Sequence, residues 1–597
     1  MMISGGSCLL FLLAGFVTFW HVGARLGDGR ETPVGAWHNV FTAVKYLRYR
    51  HIAPWIPSPL RHTPRRGLVS ELEAARAAGY ATAAARVNAQ LAQEAFERAW
   101  RTMQAWSAAR DPASGLLPRR LETPQPFWNG KDTAADLLPF LLTAGLYLDD
   151  SAAPVWLTVM AQDRHLSGPL PRRILFRPTR FDDESPAEIV FGASEYAKDG
   201  LLALAERFGR GPWFDRLEEI MTTLVGGATV DTPYGRICAS DTEVNGEMLQ
   251  VLCRLYWATG HAPYLAMAER IGDAYFLEIL PHHHELPAHD WDFATDTAAN
   301  PKFRLRDHGS EIVPGLTELY VLEKLQGRPR AAQYRPALQR MLDRLLHIGR
   351  SADGLWVNAV DPADGRILSG GVIDTWGYIA NAYQAFDLVE GTTRYRKEIE
   401  RAMRAAAARR SFPWEGRHMD GHADSLESMI YLLPWFDLPE CRHWVDDEME
   451  VLFARQQPDG LVEADYLDGN FIRTTLLYAL YKTAGVRFDP WRADLQLGAE
   501  WRPDTGTLHV HLASAKPWSG VIRFDIPRHR EYWNLPLDYP RLNSSPEWFT
   551  VEREAAYILQ MPGEPPMRLM GAALAAGVPV RLVGGGAVVQ WTVRRQR

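Results

Sequence analysis

Acidic side chains recur just after a glycine through the middle of this chain: Asp132 after Gly130, Glu195 after Gly192, Glu247 after Gly246, Glu311 after Gly309, Asp374 after Gly370 and Asp424 after Gly421. A last copy, "DGNFIR", places Arg473 after Gly469 where the others have an acid. Carboxyl groups held close together in unlike surroundings divide the work of proton donor and proton acceptor, because each environment shifts its own group. Glu311 in "DHGSEI", Asp374 in "GGVIDTWGY" and Asp424 in "DGHADSLES" stand beside imidazole or aromatic residues and are the expected catalytic acids. Each acid alone also reads as a helix cap or salt-bridge partner. Only their convergence would make a site.

What would gather them is an alternation of two kinds of helix. From about residue 80 to 485 the chain reads almost wholly helical. "RVNAQLAQEAFERAWRTMQAWSAAR" is amphipathic, and the following "FWNGKDTAADLLPFLLTAGLYL" is apolar and polar only at its start. Further amphipathic segments lie near 152–163, 213–225, 261–280, 332–349, 393–409 and 440–456. The apolar ones lie near 192–207, 242–259, 309–326, 371–389, 421–436 and 469–483. Helices apolar on every side are buried, and one-sided helices face solvent. Alternating the two closes naturally into inner helices ringed by outer ones, with an open solenoid as the rival. The glycines recur at roughly 50–60 residues, the length of two helices and their loops. In a ring, the inner-helix starts share one mouth, where the positive helix ends favour anionic groups.

This layout resembles the (α/α)6 or (α/α)7 toroids of carbohydrate-active enzymes, over residues 81–488. Beyond them "TLHVHLAS", "GVIRFDI", "EWFTVER" and "VVQWTVRR" read as antiparallel strands between Pro and Gly turns, and the tail from Gly571 as two strands joined by glycine turns. Residues 489–597 are therefore expected to form a β-sandwich. Toroid plus sandwich also resembles the β-L-arabinofuranosidase type of glycosidase, and "AKPWSGVIRFDI" is similar to its sandwich strands. Some of those enzymes use a zinc-bound cysteine. Cys8, Cys238, Cys253 and Cys441 do not match that centre, so no catalytic residue is carried over.

The resemblance implies a glycoside hydrolase acting on a polysaccharide or oligosaccharide. Inverting enzymes hold their two carboxyl groups about 6.5–9.5 Å apart and retaining ones about 5–5.5 Å; the inverting form is the expectation here. A uronic-acid lyase or sugar epimerase in the same cavity is the alternative. From another class comes a non-catalytic glycan-binding or scaffold protein whose acids only cap helices. Trp128, Trp376, Trp414 and Tyr466 stand at or near inner-helix starts, where a ring could stack on a sugar. Asp132, Glu195, Glu247, His308 and His422 are expected to bind hydroxyls, and Arg473 to pair with an acid or hold a uronate carboxylate.

Bulk properties fit this reading. A net charge of -7 and a pI near 6.2 disfavour a nucleic-acid binder. Four cysteines are too few for a disulfide framework, and no phosphate-binding glycine loop or HExxH motif is present. "ISGGSCLLFLLAGFVTFWHVGA" ends in small residues, so residues 1–24 are expected to be a signal peptide, or a membrane anchor if uncleaved, ahead of an extension at 25–80. Either places the protein outside the cytoplasm: periplasmic, extracellular or membrane-anchored. The insertion at 281–304 reads as a loop over the cavity mouth. Its Asp290, Asp292 and Asp296 have a calcium-like spacing without the glycine or final glutamate of an EF-hand; no other metal or cofactor is expected.

Overall fold

A computed structural model describes residues 65–596, apart from the side chains of Asp307, His308 and Arg417. The apolar N-terminal stretch read as signal or anchor lies outside the described residues, as does most of the extension. The end of that extension is a helix, Arg65–Ala77. No helix of the described residues is long and apolar enough to cross a membrane. Gly67–Arg597 form one compact unit.

Helices of the two expected kinds alternate along the chain. Outer α1 (Ala81–Trp106) precedes inner α2 (Leu138–Leu148), which continues from a π-helical turn, Gly130–Leu137. Outer α3 (Ala153–Ser167) leads to an inner rod made of α4 (Pro186–Glu195), a second π turn (Tyr196–Leu201) and α5 (Leu202–Phe208). Then come α6 (Pro212–Gly226, outer), α7 (Thr242–Thr259, inner) and the outer rod α8 (Ala262–Asp273), extended by a π turn (Ala274–Ile279) and α9 (Leu280–His282). The last pairs are inner α10 (Ile312–Leu325) with outer α11 (Arg330–Leu345), inner α12 (Trp376–Glu390) with outer α13 (Arg396–Ala407), and inner α14 (Met419–Leu432) with outer α15 (Pro439–Phe453). Inner α16 (Leu467–Lys482) ends the series.

Patterning explains which helices go inside. On α10 every residue from Ile312 to Glu323 is buried, whereas α13 buries only Ile399, Ala402, Met403, Ala405 and Ala406, a single stripe. Each inner helix packs on the next, and α16 returns to α2 and its π turn, so the ring closes. Among the described residues it has seven inner and seven outer members: an (α/α)7 toroid, not an open solenoid.

The repeated glycines are where inner helices touch. A Cβ at Gly246 would overlap the Glu311–Ile312 peptide, and one at Gly469 the Asp136 carbonyl. Side chains there would push the helix starts apart and widen the mouth. Gly370 departs from the pattern: it lies in a strand, Ile367–Val372, and Gly377, pressed on Ser428, makes the contact instead.

Strands interrupt the expected all-helical stretch. The insertion at 281–304 carries a hairpin of β1 (Asp290–Asp292) and β2 (Thr297–Asn300). Phe303–Arg304, Val357–Val360 and Ile367–Val372 form a small sheet beside it in sequence.

C-terminal strands β3 (Arg487–Asp489), β4 (Leu495–Arg502), β5 (Thr507–Ser514), β6 (Trp518–Arg523), β7 (Ala556–Gln560), β8 (Met567–Met570), β9 (Val578–Leu582) and β10 (Val588–Arg595) form two antiparallel sheets. One has the order β4-β5-β10-β7-β8 and the other β9-β6-β3, around a separate apolar core. The glycine turn after β9, Gly584–Gly586, carries the chain from one sheet to the other. Two local expectations fail. "EWFTVER" joins no ladder beyond a bridge between Thr550 and Asp525, and Gly571–Ala576 is a short helix.

The reason is an excursion between β6 and β7. Residues 528–546 leave the sandwich and plug the ring at the C-terminal ends of its inner helices. Arg254 of α7 donates to the Leu542 carbonyl at 2.7 Å, Arg541 reaches Glu206 of α5 at 3.3 Å, and Ser545 N–H donates to the Tyr431 hydroxyl of α14 at 3.3 Å. The toroid is thus closed below and faces outward at the helix starts.

Candidate active site at the starts of the inner helices

Local chemistry sets each start. The Asn129 side chain accepts from Thr133 N–H at 3.0 Å, Ser185 and Glu188 form a reciprocal capping box, and Asp241 accepts from Val244 N–H at 2.9 Å. The close glycine contacts then bring these starts to one mouth.

The outer tier of this mouth is polar and partly open. Arg119 donates to Asp132 at 2.5 Å, Asn129 reaches the same carboxylate oxygen at 2.7 Å, and the Arg119 guanidinium lies 4.3 Å over the Tyr466 ring. Asn470 of α16 hydrogen-bonds Asp420 of α14. Arg473 pairs with Asp424 and, through Nε at 3.0 Å, with Glu427. Arg306 pairs with Glu415. Gly421 sits against the Asp374 carboxylate: a Cβ there would lie 2.6 Å from Oδ2. Burial, then the charges of Asp424 and Asp136, hold the Asp420 carboxyl well above the usual carboxylate range.

Beneath lies a buried tier. Glu195, Asp199 and Glu247 each bring a carboxylate oxygen within 4.8 Å of the others. Lys198 donates to Asp199 at 2.8 Å and to Glu311, and Gln250 donates to the second Glu311 oxygen at 2.5 Å. Burial opposes the Lys198 charge, but Asp199, Glu311 and Glu247 outweigh it and raise its pKa well above the ordinary lysine value. Burial, then Glu247 and Asp199, push the Glu195 carboxyl up strongly. The Lys198 ammonium already occupies this tier as its cation. Tyr378 lies beside it, its ring 5.5 Å from Lys198 Nζ.

The expected acids and cation therefore meet. Tyr378 experiences the fields of both Asp424 and Glu311, Tyr466 those of Asp132, Asp136 and Asp420, and Asp420 that of Asp424. Asp132, Glu195, Glu247, Glu311, Asp374, Asp424, Tyr466 and Arg473 all belong to this one constellation. Glu311 is fully enclosed and bound to Lys198 and Gln250, so it supports the tier from within. The Arg473 fork is engaged by two protein carboxylates, the acid pairing that was one of its two expected roles.

Four expected ligands are elsewhere. Trp128 is enclosed and donates to Asp163 at 3.0 Å; Trp376 is enclosed and donates to Ser425 at 3.1 Å. Trp414 is buried edge-on to Phe412. None offers an open face for stacking, because each indole fills core volume. His422 points outward to α15, its Nε2 3.2 Å from the Glu448 carbonyl, and burial followed by Arg455 lowers its pKa to about 3. The His308 side chain lies outside the described residues. Asp290, Asp292 and Asp296 do not converge: Asp292 accepts from its own turn at Ala294 N–H, 2.9 Å, and Asp296 faces His282 instead.

The site also contains residues that the glycine pattern passes over: Asp136, Lys198, Asp199, Asp420, Glu427, Gln250, Tyr378 and Arg119. Asp136, Lys198 and Asp199 sit in π turns, which slip the helical register and turn inward residues that a 3.6-residue period does not group. Asp420 precedes its glycine, and "MDG" carries that signal in plain sight.

No protein-family model matches the chain, and no curated protein does. Among solved structures, an inactive variant of an alpha-1,6-mannanase of Salegentibacter sp. HEL1_6, in complex with alpha-1,6-mannotetrose, is similar at 10% identity over 64% of this chain and 98% of its own, with a TM-score of 0.39. Cellobiose 2-epimerase from Bacillus thermoamylovorans B4167 is similar at 10% identity over 53% and 87%, TM-score 0.38. An unsaturated glucuronyl hydrolase from Bacillus sp. GL1 is similar at 13% identity over 51% and 87%, TM-score 0.35. The toroid itself is defined by the packing of this chain's own helices.

Proposed function

We propose that the mouth is the active site of a carbohydrate hydrolase, with Asp420 as proton donor to the leaving oxygen and Asp136 as the base that activates water. The observation that carries this is the setting of Asp420: burial, then Asp424 and Asp136, favour its protonated form, and Asn470, which hydrogen-bonds it, follows the glycine pressed on the Asp136 carbonyl of a different inner helix. Asp424 lies one turn along the same helix as Asp420, hence on the same side of a bound bond, and its ion pair with Arg473 commits it to electrostatic support. A donor and base on separate helices suit an inverting displacement, which needs room for water between them. Tyr466 and Tyr378, both partly exposed, supply aromatic surface for a sugar ring. The apolar N-terminal stretch supports a workplace outside the cytoplasm.

The test is incubation of the full chain with a panel of polysaccharides and oligosaccharides, following new reducing ends, the anomer first released, and the ultraviolet absorbance of unsaturated uronates. Reducing ends of inverted anomer are expected. Unsaturated product, or the same release by Asp420→Asn, would sink the assignment.

A further inference from the structure

We propose that Glu278, His282 and Asp296 form a binding site for a divalent transition-metal ion, with zinc as the fitting metal, away from the acid-lined mouth. Glu278 lies in the π turn of the fourth outer rod, and His282 follows four residues later at the end of α9. Asp296 comes from the loop joining β1 to β2, with φ at 53°. The three ligand atoms lie within 4.8 Å of one another.

The distances leave room for a metal ion among the three side chains. His282 Nδ1 is 3.3 Å from Glu278 Oε1 and 3.5 Å from Asp296 Oδ2. Both exceed the usual N–H···O hydrogen-bond length of about 2.7–3.2 Å. They fall within the edge of a tetrahedron, about 3.3–3.6 Å, built on metal–ligand bonds of about 2.0–2.2 Å. The Tyr234 hydroxyl donates to the other Glu278 oxygen at 3.2 Å, which turns Oε1 toward the histidine as second partners of metal carboxylates do. One imidazole and two carboxylates suit zinc and its neighbours in the transition series. His282 and Asp296 are exposed, so water can complete the coordination.

A second histidine–carboxylate cluster sharpens the contrast. His529 Nδ1 lies 2.9 Å from Glu547, an ordinary hydrogen bond, and Asp538 is engaged by Arg541 at 3.0 Å. That cluster is already satisfied.

A metal at Glu278, His282 and Asp296 would tie the β1–β2 hairpin to an outer rod. The hairpin region is also bonded to the start of inner helix α7, through Thr242 N–H to the His289 carbonyl at 3.1 Å and Trp291 N–H to Ser240 at 3.3 Å. The ion would thus brace the segment that leads into Glu243 and Glu247.

The test uses tag-free full chain stripped with a chelator and titrated with zinc by calorimetry, and with cobalt(II) by visible absorption. Saturable binding lost in both His282→Ala and Asp296→Asn is expected, with a tetrahedral-type cobalt spectrum; Tyr234→Phe should weaken zinc by about 10–100-fold. Circular dichroism checks that the variants fold. Zinc binding of equal affinity and stoichiometry in wild type and His282→Ala would overturn the proposal, as would no binding by the wild type.

Discussion

Asn543 of the C-terminal excursion donates to the Asp199 carboxylate at 3.1 Å, across 344 residues of chain, and to the Lys198 carbonyl at 3.0 Å. The C-terminal region therefore reaches the buried tier from below. Replacing Asn543 with Leu removes both donors and should cost about 1–3 kcal/mol, read as a lower urea midpoint. An unchanged midpoint would show that the plug does not hold this tier.

Lys198 is the cation among Glu195, Asp199, Glu247 and Glu311. Lys198→Met leaves buried carboxylates facing one another, and breaking such a pair from one side typically costs about 3–5 kcal/mol. Thermal unfolding should show a large fall in melting temperature. Glu311→Gln should also destabilise, in contrast to a residue with a purely catalytic role.

Asp420→Asn should fold normally and lose about 10²–10⁴-fold in kcat. The donor works only while protonated, so wild-type activity should fall as pH rises through the elevated pKa of Asp420. The pH–rate profile of the full chain checks the sign.

His422 stays neutral in the folded protein down to about pH 3, from an ordinary value of 6.5. Between those values the unfolded chain binds a proton that the native state refuses. Stability supported by neutral His422 is complete above pH 6.5 and declines as pH falls toward 3, by up to about 1.4 kcal/mol per unit. Chemical denaturation of the wild type against His422→Gln across this window should show a shallower slope in the variant.

Gly469→Ala should be among the costlier single-methyl changes, because its Cβ would overlap the Asp136 carbonyl. Overpacking of this kind costs about 1–3 kcal/mol. Calorimetric melting measures it, and activity should fall with it as α16 is pushed from the first inner start.

Much of this was legible in the chain. The apolar segment read near 242–259 is the helix Thr242–Thr259, because a run apolar on every side marks burial; the structure adds the Asp241 cap and the Gly260 end. The strand Thr507–Ser514 followed from its alternation of β-branched and polar residues. The indoles were not legible: Trp128 and Trp376 sit at helix starts like candidate sugar platforms, and only their hydrogen bonds to Asp163 and Ser425 place them in the core. Glu311 read as a catalytic acid because nothing local announces Lys198, which lies 113 residues earlier.

The sequence alone determined the alternation of all-apolar and one-sided helices, the glycines at their contacts and the acids beside them, because burial and close approach act on residues a few positions apart. The tertiary structure decided the number of helices in the ring, the nearness of Asp136 to Asp420, the Lys198 ion pair and the plug from below. Those depend on which distant segments become neighbours, and on π turns that rotate side chains by less than a helical turn. Local periodicity carries neither quantity, since both are fixed only when the ring closes.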